Sequence, residues 1–359
     1  ASPYVAWLYT KGITKGATAT TFNSNAACTD KNYVVFLLRA LGYEDGKDFQ
    51  YAESLTFAEK LGFYQADYFE GPFLRDDLAA ITLQALATDK KGGETYLLKS
   101  LIDTGAVDAT KAKNLTEKIE NYRALTRATD AVDSVSQDTN SLTQARGTVQ
   151  YAGDTMDVSF DSSTREKIVL RNGKVQFSSE TKITQNGETT ESGTWIKDGW
   201  LYIYTKDGGV TAKNKVAVDD SMTDADLAEV ESNQVDKVGL SAIKSISVVK
   251  DGLTSYYSVD VDASAAAFLS GILENYVDED DKDLTSIEVS DIKVTYTVNG
   301  QDVLGAMTTS FRLKIVYASG EFQGDPMVMD MKYTVASNIL ATGNAVSITF
   351  PDFSDYVIL

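Results

Sequence analysis

The sequence predicts an α+β protein, with N-terminal all-α helical repeats followed by a large antiparallel β-sheet domain that carries one or two covering helices. Three observations predict it. Apolar residues recur at helical spacing up to about residue 110. From about residue 145 they alternate with polar residues at every second position. Six Asn-Gly or Asp-Gly pairs separate the alternating segments, as in a sheet built from hairpins.

The chain has room for two or three domains, because it is 359 residues long. We place a helical domain at 1–110, a connecting helix or linker at 111–140 and an antiparallel β-rich domain at 141–359. The middle segment is polar, and its Ile119, Tyr122 and Leu125 form a weak helical stripe.

The helices of the first part are predicted from apolar residues spaced i, i+3, i+4 and i+7, which share one helix face. These stripes are Val34, Leu37, Leu38 and Leu41, then Leu97, Leu98, Leu101 and Ile102, and more loosely Leu78, Ile81 and Ala85.

The strands of the second part are predicted at 167–170, 200–204, 292–298 and 311–317, and a late strand pair is expected to end at 347–351. Tight turns are expected at the Gly pairs, since Asn and Asp tolerate positive φ angles. These pairs are Asn172-Gly173, Asn186-Gly187, Asp198-Gly199, Asp207-Gly208, Asp251-Gly252 and Asn299-Gly300. Two helices, near 223–230 and 262–276, interrupt the strands, and we expect the second to lie across the sheet.

The composition excludes several classes of protein. The chain has no His and one Cys, so a Ser-His-Asp triad, a His-ligated zinc site and an intrachain disulfide are ruled out. Its net charge of −19 disfavours nucleic-acid binding. We predict no cofactor, no metal site and no enzymatic activity, and we interpret Cys28 as a small packing residue.

Two short motifs are too weak to indicate chemistry. Ser241 and Lys244 fit the Ser-x-x-Lys pattern of serine acylation sites, but the partner motifs are missing and the segment looks like the start of a strand. The acidic run at 278–283 fails as an EF-hand because its sixth and twelfth positions would be Asp283 and Val289. We interpret it as a solvated loop.

No apolar run approaches the roughly 18 residues of a membrane-spanning helix. The chain begins Ala1-Ser2-Pro3 without Met, from which we expect a removed signal peptide or lipoprotein leader. The expected location is therefore outside the cell, at a bacterial cell surface. Lipid anchoring through that leader is left open.

The helical part also repeats itself. Segments 5–13, 54–63 and 96–107 each read as a short amphipathic helix that ends in Gly followed by an apolar residue. After the first two, a loop containing Phe leads to a second helix.

This pattern resembles the S-layer homology family, whose three repeats form a bundle that binds cell-wall polysaccharide. In that family the second helix opens with Thr-Arg-Ala-Glu, where Thr and Glu form a capping box. Thr29 keeps the capping Thr, with Asp30 and Asn32 in place of Arg and Glu. The second repeat keeps Arg75 and a shorter acid, Asp77, but has Leu in place of the Thr.

The resemblance implies a glycan site formed by Trp7, Arg75 and Asp77. Trp7 matches the family's first-helix aromatic residue and could stack on a sugar ring. Arg75 could bind an acidic group of a glycan through two hydrogen bonds. The alternatives are that Trp7 is a core aromatic residue and that Arg75 pairs with Glu70, Asp76 or Asp77.

The strand-rich part resembles, in pattern only, the LolA-like half-barrel lipoprotein domains, which hold an apolar ligand in a concave sheet. Two functions follow. The first is a non-catalytic cell-surface protein, associated with wall polysaccharide or with a structural role. The alternative is a carrier of an apolar ligand or lipid on the concave face of the β domain.

Overall fold

The computed structural model of the protein describes residues 3–16, 18, 21–23, 25–65, 72–132, 136–218, 238–262, 284–317 and 326–359. These form helices and one large, mostly antiparallel sheet, which confirms the α+β class. The chain divides into two compact units. One is Ala1–Arg123 with Gly239–Ser241, and the other is Ala124–Val238 with Ala242–Leu359. The domain limits of 1–110, 111–140 and 141–359 stay a prediction.

The helices follow one another as three pairs, each a short helix and then a longer one. They are α1 Pro3–Thr10, α2 Asp30–Ala40, α3 Ser54–Lys60, α4 Arg75–Ala87, α5 Leu97–Asp103 and α6 Lys113–Asp130. The boundary between the two units falls within α6. None of the described helices is long and apolar enough to cross a membrane.

The first unit has a core made by α2, α3, α4 and α5 together. It includes Val34 and Leu38 of α2, Ala58 of α3, Ile81 of α4 and Leu97 of α5, all at most 5% exposed. The predicted apolar stripes therefore do face a core. Helix α1 is different, because none of its residues is buried.

Four helices of this unit, α1, α2, α3 and α5, end in the same way. Each is followed by a glycine with positive φ, and the residue after that glycine donates its N–H to the carbonyl five residues earlier. In α3 these are Gly62, at φ +76°, and the bond from Phe63 to Ala58. Glycine adopts this left-handed conformation without a Cβ penalty. The predicted Gly-terminated helices are thus confirmed as local structure.

The second unit is built on a 12-stranded sheet. Its strands are β1 Gln137–Tyr151, β2 Asp154–Arg171, β3 Lys174–Gln185, β4 Glu188–Lys197, β5 Trp200–Asp207, β6 Val210–Ala217, β7 Ile243–Asp251, β8 Thr254–Val261, β9 Leu284–Val298, β10 Leu304–Tyr317, β11 Met327–Thr342 and β12 Val357–Ile358. Their order across the sheet is β12-β6-β5-β4-β3-β2-β1-β11-β10-β9-β8-β7. All neighbours are antiparallel except β12, which lies parallel to β6.

This order describes two meanders joined at one ladder. Strands β1 to β6 run outward in chain order on one side, and β7 to β11 run inward on the other. Among the described strands, the two meanders are hydrogen-bonded to each other only through the ladder between β1 and β11. We call this ladder the seam. It pairs residues far apart in sequence, such as Thr148 with Asp330.

Three predicted turns form as expected: Asn172-Gly173, Asn186-Gly187 and Asp198-Gly199 all have two successive positive φ angles. In the β5–β6 hairpin these angles fall on Gly208 and Gly209, one residue later than the predicted Asp207-Gly208. The β7–β8 hairpin likewise turns at 252–253.

The tight turn predicted at Asn299-Gly300 is wrong. Five residues, 299–303, connect β9 and β10, and the positive φ is at Asp302. The Asn299 carboxamide oxygen accepts hydrogen bonds from the N–H groups of Gln301 and Val303, which closes the wider loop. Asn299 therefore shapes the connection as a hydrogen-bond acceptor rather than through its backbone angles.

Two further expectations need correction. Residues 347–350 form no strand, and their segment is held instead by side chains: Lys167 donates to the Ser347 carbonyl and Arg171 to the Val346 carbonyl. Cys28 is exposed, so it is not a packing residue. The predicted helices at 223–230 and 262–276 and the acidic run at 278–283 fall essentially outside the described residues.

Candidate functional site

A continuous row of apolar side chains crosses one face of the sheet. Residues paired directly on neighbouring antiparallel strands share a face. By this register the row contains Ile168, Phe177, Ile196, Leu201 and Val216, one from each of β2 to β6. Four steps between strands give the row a length of about 19 Å. We call it the apolar row.

The apolar row is only half-buried. All five of its side chains remain partly accessible to solvent. On the same face, the centre of the β8–β11 side is buried: Val259 and Val294 are at most 1% exposed, and so are Leu313 and Ile315. The sheet therefore presents one face with a covered half and a partly open half.

Polar side chains lie beside the apolar row on the same face. The next row along the strands contains Thr139, Glu166, Ser179 and Thr194, and the one after it contains Ser141, Thr164, Thr181 and Ser192. Successive rows are about 7 Å apart, which is two residues along a strand. We call these two rows the hydroxyl band. Its hydroxyls pair across strands, with oxygens 3.0 Å apart in Thr164 and Thr181.

Glu166 is the one charged side chain on this face of β1–β6 away from the hairpin ends. Its carboxyl is exposed to water and makes no ion pair or hydrogen bond with any described residue. Desolvation by surrounding protein nevertheless raises its pKa.

The other face of β4–β6 is covered by the C-terminal segment, residues 346–359. Phe353 stacks on Tyr202 of β5 with ring centroids 3.8 Å apart, and its ring lies 5.8 Å from that of Trp195. Lys213 of β6 forms an ion pair with Asp355 at 2.6 Å. We call residues 346–359 the C-terminal arm.

A pocket of about 580 Å³ lies between this face and the arm, lined by Trp195, Tyr204 and Phe350 among others. Two of the four charged side chains at the pocket, Arg165 and Glu191, are paired within the protein. Arg165 binds Asp138, and Glu191 lies 3.4 Å from Lys206. Because these two charged groups are already engaged, we take the apolar face as the stronger candidate.

The three residues predicted to bind glycan lie in the first unit. Trp7 is on α1, is 55% exposed and has the Lys11 ammonium 5.9 Å from its ring, so it is not a core residue. Arg75 begins α4, is exposed and makes no ion pair with a described residue, including Asp76 and Asp77.

The Asp77 carboxylate accepts the backbone N–H of Leu74 at 2.6 Å, so it caps α4. Arg75 and Asp77 share the first turn of that helix, and no described hydrogen bond or ring contact joins either of them to Trp7. In the first repeat Thr29 caps α2 as predicted, accepting the N–H of Asn32 at 3.2 Å.

The sequence analysis did not single out Glu166 or the apolar row. The signal was present in β2, where Glu166, Ile168 and Leu170 fall on alternate positions and so share a face. Alternation along one strand does not give the register between strands. The register determines which residues of β1 and β3 lie beside Glu166.

Comparison with known proteins gives distant likenesses of fold. No protein-family model matches the chain, so the S-layer homology resemblance rests on its motifs alone. No curated protein is similar to it. Among solved structures, LprF from Mycobacterium bovis is 14% identical with a TM-score of 0.32, over 65% of this chain and 97% of that one.

Two other structures are similar over a comparable length. A LolA superfamily protein from Nitrosomonas europaea is 9% identical with a TM-score of 0.17, over 62% of this chain and 94% of that one. A DUF1329 family protein from Desulfovibrio piger is 14% identical with a TM-score of 0.18, over 64% of this chain and 94% of that one. Likenesses at this level assign no function to the chain.

Proposed function

We propose that this protein is a non-catalytic, secreted binding protein of the bacterial cell surface that carries an apolar or amphipathic ligand on the sheet of its second unit. The apolar row is the observation that supports this most directly. Five adjacent apolar side chains stay half-buried over about 19 Å, and contiguous apolar surface of this kind marks binding sites.

The chemistry of this face suits reversible binding. Apolar side chains would remove a hydrocarbon chain from water, at roughly 25 cal/mol for each Å² buried. The hydroxyl band beside them offers donors and acceptors to a polar group of the same ligand. A ligand with an apolar part along the row and a polar part over the band would satisfy both surfaces.

The proposal is tested with phenylnaphthylamine, an uncharged probe whose fluorescence rises in apolar surroundings. We expect Ile196→Gln to weaken probe binding several-fold, because it places an amide in the middle of the apolar row. The matched control is Lys197→Gln, the next residue of the same strand, on the opposite face. Probe binding that is equal in both variants, with unchanged circular dichroism, would contradict the proposal.

Wall attachment through the first unit is the second candidate, and the exposure of Trp7 and Arg75 favours it. Purified protein should then sediment with cell-wall sacculi, and Trp7→Ala should abolish this. Tyr9→Ala is the control, since Tyr9 lies on the same helix and is 57% exposed. Asp77→Asn is preferable to Asp77→Ala, because the amide oxygen can still cap α4. Equal sedimentation of the Trp7 and Tyr9 variants would exclude a glycan site at Trp7.

A further inference from the structure

We propose that Glu166 selects the polar head group of the ligand, favouring an amphiphile whose head group is an amine that donates hydrogen bonds and excluding one with an anionic head group. This inference rests on the proposed function and adds a ligand class to it. It starts from the position of Glu166 within the face rather than from the face as a whole.

Glu166 lies where the apolar row meets the hydroxyl band. Its neighbour two residues along β2 is Ile168, which belongs to the row. Its cross-strand partners on the same face are Thr139 of β1 and Ser179 of β3, which belong to the band. A ligand on the row whose polar end lies at β2 is within reach of the carboxyl, since the two rows are only about 7 Å apart.

The surroundings of Glu166 make this position selective. No charged side chain of β1–β6 shares its face away from the hairpin ends, so no protein cation there offsets its charge. Desolvation already disfavours the ionised form, and a bound ligand would remove more water. A protonated amine would restore a partner for the carboxylate through a charge-assisted hydrogen bond. An anionic head group would place two like charges next to each other.

The charge of the whole chain supports the same preference. The net charge of −19 attracts cationic amphiphiles to the protein and repels anionic ones before any contact is made. This long-range effect falls with added salt, whereas the contact with Glu166 is less sensitive to it. Measurements at low and at high salt therefore separate the general field from the local carboxyl.

The test compares three amphiphiles with the same dodecyl chain, dodecylamine, dodecyl glucoside and dodecanoate, each displacing phenylnaphthylamine at high salt. We expect wild-type protein to bind dodecylamine about tenfold more tightly than dodecanoate. Glu166→Gln, which keeps the shape of the side chain, should bring the two affinities together, and Glu166→Lys should reverse their order. Dodecyl glucoside should change little in either variant.

The matched control is Glu180→Gln on β3, an acid on the opposite face that pairs in register with Arg165. It should leave the order of the three amphiphiles unchanged. If the probe binds but Glu166→Gln keeps the wild-type preference, the head-group inference is wrong and the proposed function stands. If wild-type protein binds neither the probe nor any amphiphile, the proposed function fails and the inference fails with it.

Discussion

Substitution of Gly147 tests whether the seam depends on close approach of β1 and β11. Gly147 pairs with Met331 across this ladder. A Cβ atom at this position would lie 2.0 Å from the Asp330 carbonyl oxygen and 2.8 Å from both Cα and Sδ of Met331. The backbone oxygen cannot move by a rotamer change, so Gly147→Ala must shift one strand against the other.

The expected cost follows from two opposing effects. Overpacking a well-packed site costs about 1–3 kcal/mol and sometimes more. Replacing Gly by Ala where the backbone allows it stabilises by about 0.4–1 kcal/mol, because the unfolded chain loses freedom. Since the clash at Gly147 is with backbone, we take the upper end of the first range, and subtracting the second leaves a net loss of about 2 kcal/mol.

Urea unfolding followed by far-UV circular dichroism measures this loss. Gly305→Ala in β10 is the matched control, because a Cβ there would lie 3.7 Å from the nearest atom, the Thr297 carbonyl oxygen. We expect that variant to be neutral or slightly stabilised. If Gly147→Ala unfolds at the same urea concentration as Gly305→Ala, the close approach of the two strands at the seam is refuted.

Three further predictions follow from single contacts. Thr29→Ala removes the N-cap of α2 and should lower the free energy of unfolding by about 1 kcal/mol in urea melts, with Thr29→Ser close to wild type. Phe353→Ala removes the stack on Tyr202 and should loosen the C-terminal arm. Limited proteolysis should then cut faster near the C-terminus. An unchanged cleavage rate would mean that other contacts hold the arm. At Asp138, burial raises the pKa, but Arg165 and a neighbouring lysine outweigh it and hold the pKa below its usual range. Asp138→Asn should therefore cost about 1–3 kcal/mol at neutral pH. The difference from wild type should shrink as the pH falls below about 4, where the carboxyl of the unfolded chain becomes protonated, and should vanish only below the lower pKa of the native carboxyl. A difference independent of pH would refute the ion pair.

Local features of this fold were predictable from the sequence, and long-range ones were not. The stripe of Val34, Leu37 and Leu38 and the turn at Asn172-Gly173 depend on neighbours in the chain, and both formed as expected. The hairpin between β1 and β2 was missed because its turn, at 152–153, begins with Ala, which rarely adopts a positive φ. The late strand expected to end at 347–351 did not form, and the carbonyls of Val346 and Ser347 instead accept hydrogen bonds from β2 side chains about 180 residues away.

The sequence predicted the type of the candidate site, an apolar sheet face, but not the residues that form it. An apolar face on a hairpin-built sheet follows from alternation, whereas the alternative of an apolar ligand was drawn from the resemblance to LolA-like domains. Which residues adjoin one another depends on the register of six strands, and a shift of one residue would turn Glu166 to the opposite face. The position of Glu166 between apolar and hydroxyl side chains is therefore a property of the folded sheet alone.

The seam has a consequence for how the protein is made. The ribosome releases β1 almost two hundred residues before β11, so the first meander, complete at Ala217, must wait with one long backbone edge unpaired until Met327–Thr342 is synthesised. Pairings this distant in sequence form slowly, because a large loop must close before they gain anything. During that delay the nascent chain exposes the unpaired backbone of β1, which can pair with the same strand of another copy. A chaperone that holds unfolded chains would be of most use at this stage.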